Sequence, residues 1–106
     1  LFGDCLSEAL PNVVVHMGAT FDWLINPKTN AHLELDFYIP SMNIAFEVQG
    51  RQHYEEVRGW KSLDDQQHRD TLKRTLCEAR GIVLYEYDLR EGRDKSSMGL
   101  WLKGVL

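Results

Sequence analysis

Asp36 and Glu47 are spaced so that a turn between two strands would set their carboxylates face to face, an arrangement suited to a divalent cation. In Leu33-Glu34-Leu35-Asp36-Phe37-Tyr38-Ile39 the apolar residues fall at 33, 35, 37 and 39, and in Ile44-Ala45-Phe46-Glu47-Val48-Gln49 at 44, 46 and 48. Alternation with period two marks half-buried strands, and Pro40-Ser41-Met42-Asn43 between them reads as a four-residue turn. If Ile39 and Ile44 close that turn, Asp36 faces Glu47 and Glu34 faces Gln49. The carboxylates then share the face opposite Leu35, Phe37, Phe46 and Val48. Directly paired residues have Cβ atoms roughly 4.5–5.5 Å apart, close enough to hold one ion between them. Like charges so placed repel and call for a compensating ligand. Oxygen donors alone suit Mg²⁺ or Mn²⁺. The competing reading makes Glu34, Asp36 and Glu47 the solvated face of an amphipathic hairpin. A mixed sheet covered on both sides would leave such a row of carboxylates unexplained.

The hairpin needs neighbours to hold it. Leu6, Ala9 and Leu10 recur at helical spacing after Asp4, a capping residue, and Pro11-Asn12 ends that helix. The β-branched run from Val13 to Met17 predicts a strand. Between 18 and 32, Phe21, Trp23 and Leu24 are expected to pack, and Asn26 to Asn30 to turn. Gly50 ends the second hairpin strand, and a polar loop follows to Trp60. From Leu63 to Arg80 good helix formers carry Leu72, Leu76 and Ala79 as an apolar stripe, and Gly81 is placed as the C-terminal cap. His68, near that stripe, is expected to pack rather than to ligate. Ile82 to Tyr87 predicts a strand and 97–106 a closing helix. The order helix, three strands, helix, strand implies a right-handed crossover, hence an α/β mixed sheet with helices on both faces.

Bulk properties bound the answer. At 106 residues, 43% apolar and 26% charged, the chain is one ordinary globular domain. No apolar stretch approaches the ~20 residues of a membrane span, and no charged-then-apolar leader opens the sequence. Leu at position 1 suggests a fragment of a longer protein. Two cysteines, Cys5 and Cys77, lie outside any metal-binding spacing, which excludes a disulfide framework or zinc ribbon and fits a reducing cytoplasm. The net charge of −4 argues against a free-standing nucleic-acid-binding module, because phosphate neutralisation normally supplies the affinity. Either another domain grips the nucleic acid, or the acidity is concentrated in a metal site.

Asp36 followed by Phe-Tyr-Ile-Pro, then Glu47-Val48-Gln49-Gly50 and His53, resembles the PD-(D/E)xK restriction-endonuclease-like superfamily. More narrowly the chain is similar to the branch of very-short-patch repair and phage homing endonucleases, whose pattern reads E-D-x-H-D. The resemblance covers nearly the whole chain, and it implies roles. Asp36 would be the central metal ligand, Glu47 a second and the Val48 carbonyl a third. Gln49 stands where the wider superfamily has Lys, a departure, since an amide orients water but carries no positive charge. His53 would activate the attacking water, its pKa being suited to proton transfer near neutrality. Glu8 matches the acidic residue on the first helix. The last Asp best matches Asp70, with Lys73 one turn later, although Asp64 or Asp65 could hold that place. Asp70 and Lys73 could equally be an ordinary i, i+3 helix pair; both lie off the Leu72/Leu76 centreline. Arg51, Tyr54, Arg58, Trp60, Lys61 and Lys73 are candidates for DNA contact, the aromatics as wedges or as loop packing.

The expected reaction is metal-dependent hydrolysis of double-stranded DNA, with Mg²⁺ or Mn²⁺ as cofactor. The setting implied is a phage or mobile-element homing endonuclease in a phage-infected or bacterial cell, with DNA recognition supplied from outside this stretch. A mismatch-directed repair nickase is the alternative. Against it, the loop after Gly50 carries one His, and that group's cysteine zinc site is missing. A non-catalytic DNA-binding domain on the same scaffold is the competitor from another class, with Gln49 its best support. One site per chain makes a double-strand break simplest for a homodimer, with sequential nicking as the other route.

Overall fold

The computed structural model describes the backbone of residues 1–50 and 63–106, and side chains within 1–50 and 66–106. The elements run α1 (Phe2–Ala9), β1 (His16–Ala19), β2 (Leu35–Ile39), β3 (Ile44–Gln49), α2 (Leu63–Ala79), β4 (Val83–Asp88) and α3 (Lys95–Val105), with a short 3₁₀ turn at Leu89–Glu91. The strands form one sheet in the order β1-β2-β3-β4. β1, β2 and β3 are antiparallel neighbours, whereas β4 lies parallel to β3 after the α2 crossover. The fold is therefore mixed α/β, with a four-stranded mixed sheet and three helices, as the order of elements predicted. Among the described residues no helix is long and apolar enough to cross a membrane.

Alternation along the strands sends side chains to two cores. On one face Phe37, Ile39, Phe46 and Tyr87 meet Phe2, Cys5 and Leu6 of α1 and Met98 and Leu102 of α3. Phe2 is the centre of an aromatic group, its ring 5.4 Å from Phe37, 5.8 Å from Phe46 and 5.6 Å from Tyr87. Gly3 lets α1 lie this close, because a Cβ there would stand 3.1 Å from the Phe37 ring. On the other face Ala45, Ile82, Leu24, Leu33 and Leu35 surround Cys77 of α2, with Leu72 and Leu76 packed at the margin.

The hairpin turn is tied to the crossover. Asn43 takes the left-handed conformation (φ 54°), accepts a hydrogen bond from the Tyr38 hydroxyl at 2.8 Å and donates to the Gly81 carbonyl at 2.8 Å. Gly81 (φ 71°) is the residue that turns the chain out of α2, as its placement after Arg80 predicted. One side chain thus links the tip of the hairpin to the end of the crossover helix.

Several expectations are corrected. The first helix starts at Phe2 without a side-chain cap, and Asp4 lies in its first turn. The first strand begins at His16; Val13 and Val15 instead pack against the α1/α3 core. Leu35 joins the α2 core rather than the Phe37 face. The closing helix starts at Lys95, capped by the Asp94 carboxylate on the Ser97 N–H. On α2 the inward face does not centre on Leu72, Leu76 and Ala79. Those leucines are half-buried and Ala79 is exposed, while Asp70 and Cys77 are buried and Gln66, Arg69 and Lys73 half-buried. Burial therefore does account for Asp70, and His68 is exposed rather than packed.

Candidate active site at the open end of the hairpin

The register predicted for the hairpin is present: Ile39 pairs with Ile44, Tyr38 with Ala45 and Phe37 with Phe46. At the next position the strands exchange side-chain bonds instead. The Asp36 backbone N–H donates to Glu47 Oε2 at 2.7 Å, and the Val48 N–H donates to Asp36 Oδ2 at 2.8 Å. Each carboxylate thus reaches across to the opposite strand and satisfies an amide there. The two acids stand side by side, as their spacing required.

Their surroundings differ. Asp36 is exposed, and among the described residues nothing donates to its second oxygen. Glu47 is 5% exposed, covered by α2, and its Oε1 lies 2.5 Å from Lys73 Nζ. Burial is the largest influence on Glu47 and pushes its pKa above the ordinary value; the neighbouring Asp36 charge adds to this, and Lys73 pulls the other way. Among the described residues two carboxyl groups here share one ammonium. Asp36, His32, Glu34, Gln66, Arg69 and Lys73 line a polar cleft of about 340 Å³ on this side. Asp36 also borders an apolar cleft of about 430 Å³ with Phe2, Met17, Phe37 and Val48.

Gln49 does not face Glu34, which lies outside the strand pairing and is exposed. Gln49 is buried, and its amide donates to Glu86 on β4. Glu86 also accepts from Arg74 of α2, at 2.7 Å from Nη2 and closer still from Nε. Glu86 is parallel-paired with Glu47, and Asp88 with Gln49. This second acidic position was missed from sequence, yet the alternation Leu84-Tyr85-Glu86-Tyr87-Asp88 places it on the Glu47 face. Arg69 was also missed, because the inward face of α2 was read as apolar.

The remaining expected residues divide. It is the Val48 N–H, not its carbonyl, that meets the site, through its hydrogen bond to Asp36. Asp70 is 8% exposed and accepts from Gln66 Nε2 at 3.3 Å. Glu8 lies at the far end of α1 from Phe2, pairs with Lys95 at 2.8 Å and lines a separate cleft between α1 and α3. It is not brought to Asp36. His53, with Arg51, Tyr54, Arg58, Trp60 and Lys61, falls outside the described residues, as do the side chains of Asp64 and Asp65.

Among the described residues no three His, Cys, Asp or Glu side chains are grouped to hold a metal. The donors present are the two carboxylates. A repelling pair with one open oxygen suits a hard divalent cation, which keeps several waters and takes only one or two protein carboxylates. The residues fit such an ion.

The chain is similar to three viral proteins. It is 46% identical over 68 residues to "Uncharacterized protein 094L" of frog virus 3, over 59% of this chain and 44% of that protein. It is 38% identical over 68 residues to "Uncharacterized protein 033L" of invertebrate iridescent virus 3, over 60% and 35%. It is 35% identical over 74 residues to "Uncharacterized protein 307L" of invertebrate iridescent virus 6, over 61% and 38%. The match thus spans less than half the length of each relative. No known protein family and no solved structure matches the chain.

Proposed function

We propose that this chain is the catalytic domain of a metal-dependent DNA endonuclease with a restriction-endonuclease-type fold. The observation that carries the reading is the reciprocal crossing of Asp36 and Glu47 at the end of the hairpin, with Lys73 brought onto Glu47 from α2. Gln49 leaves the customary lysine position without a charge, and Lys73 returns a positive charge to the neighbouring carboxylate from another element.

Asp36 and Glu47 would hold Mg²⁺ or Mn²⁺, with the Val48 carbonyl as a further oxygen. When bound, the ion supplies charge stabilisation at the phosphate and lowers the pKa of the attacking water. The protein's own residues do the rest. Lys73 pulls the Glu47 pKa back down against its burial and fixes the carboxyl in place. The Val48 N–H holds the Asp36 carboxylate across the strand gap, leaving one oxygen toward the cleft. Gln49, anchored by Glu86, would orient water, and His53 is the proposed proton acceptor. The duplex contacts proposed for Arg51, Tyr54, Arg58, Trp60 and Lys61 lie in the same stretch as His53. The longer viral relatives leave room for a recognition region elsewhere in a parent chain, which would answer the −4 charge. The setting we favour is a virus-encoded or mobile-element homing nuclease, cutting as a dimer or by successive nicks.

The test is cleavage of plasmid carrying the target by the full-length parent, with Mg²⁺ or with EDTA, beside Asp36→Ala and His53→Ala. Divalent-dependent scission lost in both variants is expected. Undiminished cutting by Asp36→Ala would remove the site from the mechanism. A nick restricted to mismatched DNA would favour repair, and an absence of any strand scission a binding module.

A further inference from the structure

We propose that Arg69 is an oxyanion clamp for a backbone phosphate of the DNA, a role that rests on the nuclease reading and adds a residue to it. Arg69 lies one turn before Lys73 on the inward face of α2 and lines the polar cleft with Asp36, Gln66 and Lys73. Its Nη2 donates to Gln66 Oε1 at 2.9 Å. Its Nε is buried and, among the described residues, has no hydrogen-bond partner. Among the described residues the other cations on this side are engaged: Lys73 with Glu47, Arg74 with Glu86, and Arg80 over the Trp23 ring. Among the described residues no carboxylate pairs with Arg69.

A half-buried guanidinium with an orphaned donor is an expensive thing to keep for packing alone. Its resting position is set by Gln66, whose amide is in turn bonded to Asp70. A swing of the guanidinium from Gln66 into the cleft would bring Nε and Nη onto one ligand and satisfy the orphan. A planar fork of N–H groups matches two oxygens of a phosphate. The cleft's volume of about 340 Å³ accommodates a phosphodiester group with several waters, since a water takes about 30 Å³. With Lys73 committed to Glu47, Arg69 is, among the described residues, the cation left to receive the phosphate beside Asp36.

The test separates binding from cutting. In EDTA, the side-chain Nε–Hε resonance of Arg69 in the ¹⁵N-labelled full-length protein is followed on titration with inorganic phosphate and with a short DNA duplex. Both are expected to shift it saturably. Arg69→Gln should weaken duplex binding about tenfold, the scale of one charge-assisted hydrogen bond. It should also flatten the slope of log affinity against log salt by about one. Arg69→Lys should restore the slope without the full affinity, because it keeps the charge and loses the fork. An unmoved resonance with both probes, or unchanged affinity and slope in Arg69→Gln, overturns the clamp even if Asp36-dependent cleavage is found. A phosphate-shifted Arg69 in a protein that never cuts DNA upholds the clamp and removes the nuclease reading.

Discussion

Replacing Lys73 with Met tests how much of the site depends on one buried ion pair. Lys73 Nζ stands 2.5 Å from Glu47 Oε1, with side-chain exposures of 16% and 7%. Among the described residues Lys73 is the charge that lowers the pKa of Glu47 against burial and the nearby Asp36. Removing one partner of a buried pair costs about 3–5 kcal/mol if the other stays charged. Glu47 can avoid part of this by taking up a proton, at about 1.4 kcal/mol for each unit the ambient pH lies above its ordinary pKa. We expect a loss of about 3 kcal/mol at pH 7.5, the low end of that range. For a chain of this size the melting temperature would fall by roughly 10–20 °C. The pH direction follows from linkage. The folded pKa of Glu47 is raised above its unfolded value, so its penalty is absent below the unfolded pKa and builds as pH climbs toward the folded one. The variant's folded pKa lies higher still, and its deficit keeps growing where the wild type has levelled off. Denaturant unfolding at pH 5 and pH 7.5 reads this as a smaller deficit at the lower pH. Adding Glu47→Gln should recover most of the stability, since no uncompensated charge is then buried. A loss under about 0.5 kcal/mol without pH dependence, the behaviour of an exposed pair, would refute the reasoning.

Asp36→Asn should cut the cleavage rate about 10²–10³-fold, the scale of removing a group that supports transition-state charge, with little effect on unfolding because Asp36 is exposed; single-turnover kinetics would show it. Gln49→Lys in a Lys73→Met background should regain about tenfold in rate if the positive charge near Glu47 matters more than the element that carries it; no recovery would give Lys73 a positional role. Cys77 is fully buried, and burial first and the Glu47 charge second raise its thiol to about 11. At pH 8 only about one thiol in a thousand would then be ionised, so alkylation of the folded protein should be far slower than that of a free cysteine, and fast after denaturation.

The hairpin was legible because its signals agree. Alternation fixed which residues point together, Pro40 to Asn43 fixed the turn, and the register followed without knowledge of the rest of the chain. The crossover was legible for a similar reason, since a long helix between two strands with Gly81 at its end leaves parallel pairing as the natural outcome. The inward face of α2 was not. A helix that packs polar groups over a carboxylate pair carries Gln66, Arg69, Asp70 and Lys73 where a plain amphipathic helix carries leucines, so a search for an apolar stripe finds its margin. The valines before β1 misled because β-branched residues favour packing on a sheet-like surface as much as pairing in one. Glu8 was drawn to the site by motif resemblance alone, and its geometry ties it to Lys95.

Mn²⁺ titration followed by calorimetry or by electron paramagnetic resonance bears most directly on the central claim, because it reads the ion without requiring DNA or turnover. The wild-type chain should bind Mn²⁺ more tightly as pH rises through the raised Glu47 pKa, since the ligand must be deprotonated. Asp36→Asn and Glu47→Gln should each remove that binding. Equal Mn²⁺ affinity in the wild type and both variants would contradict the account.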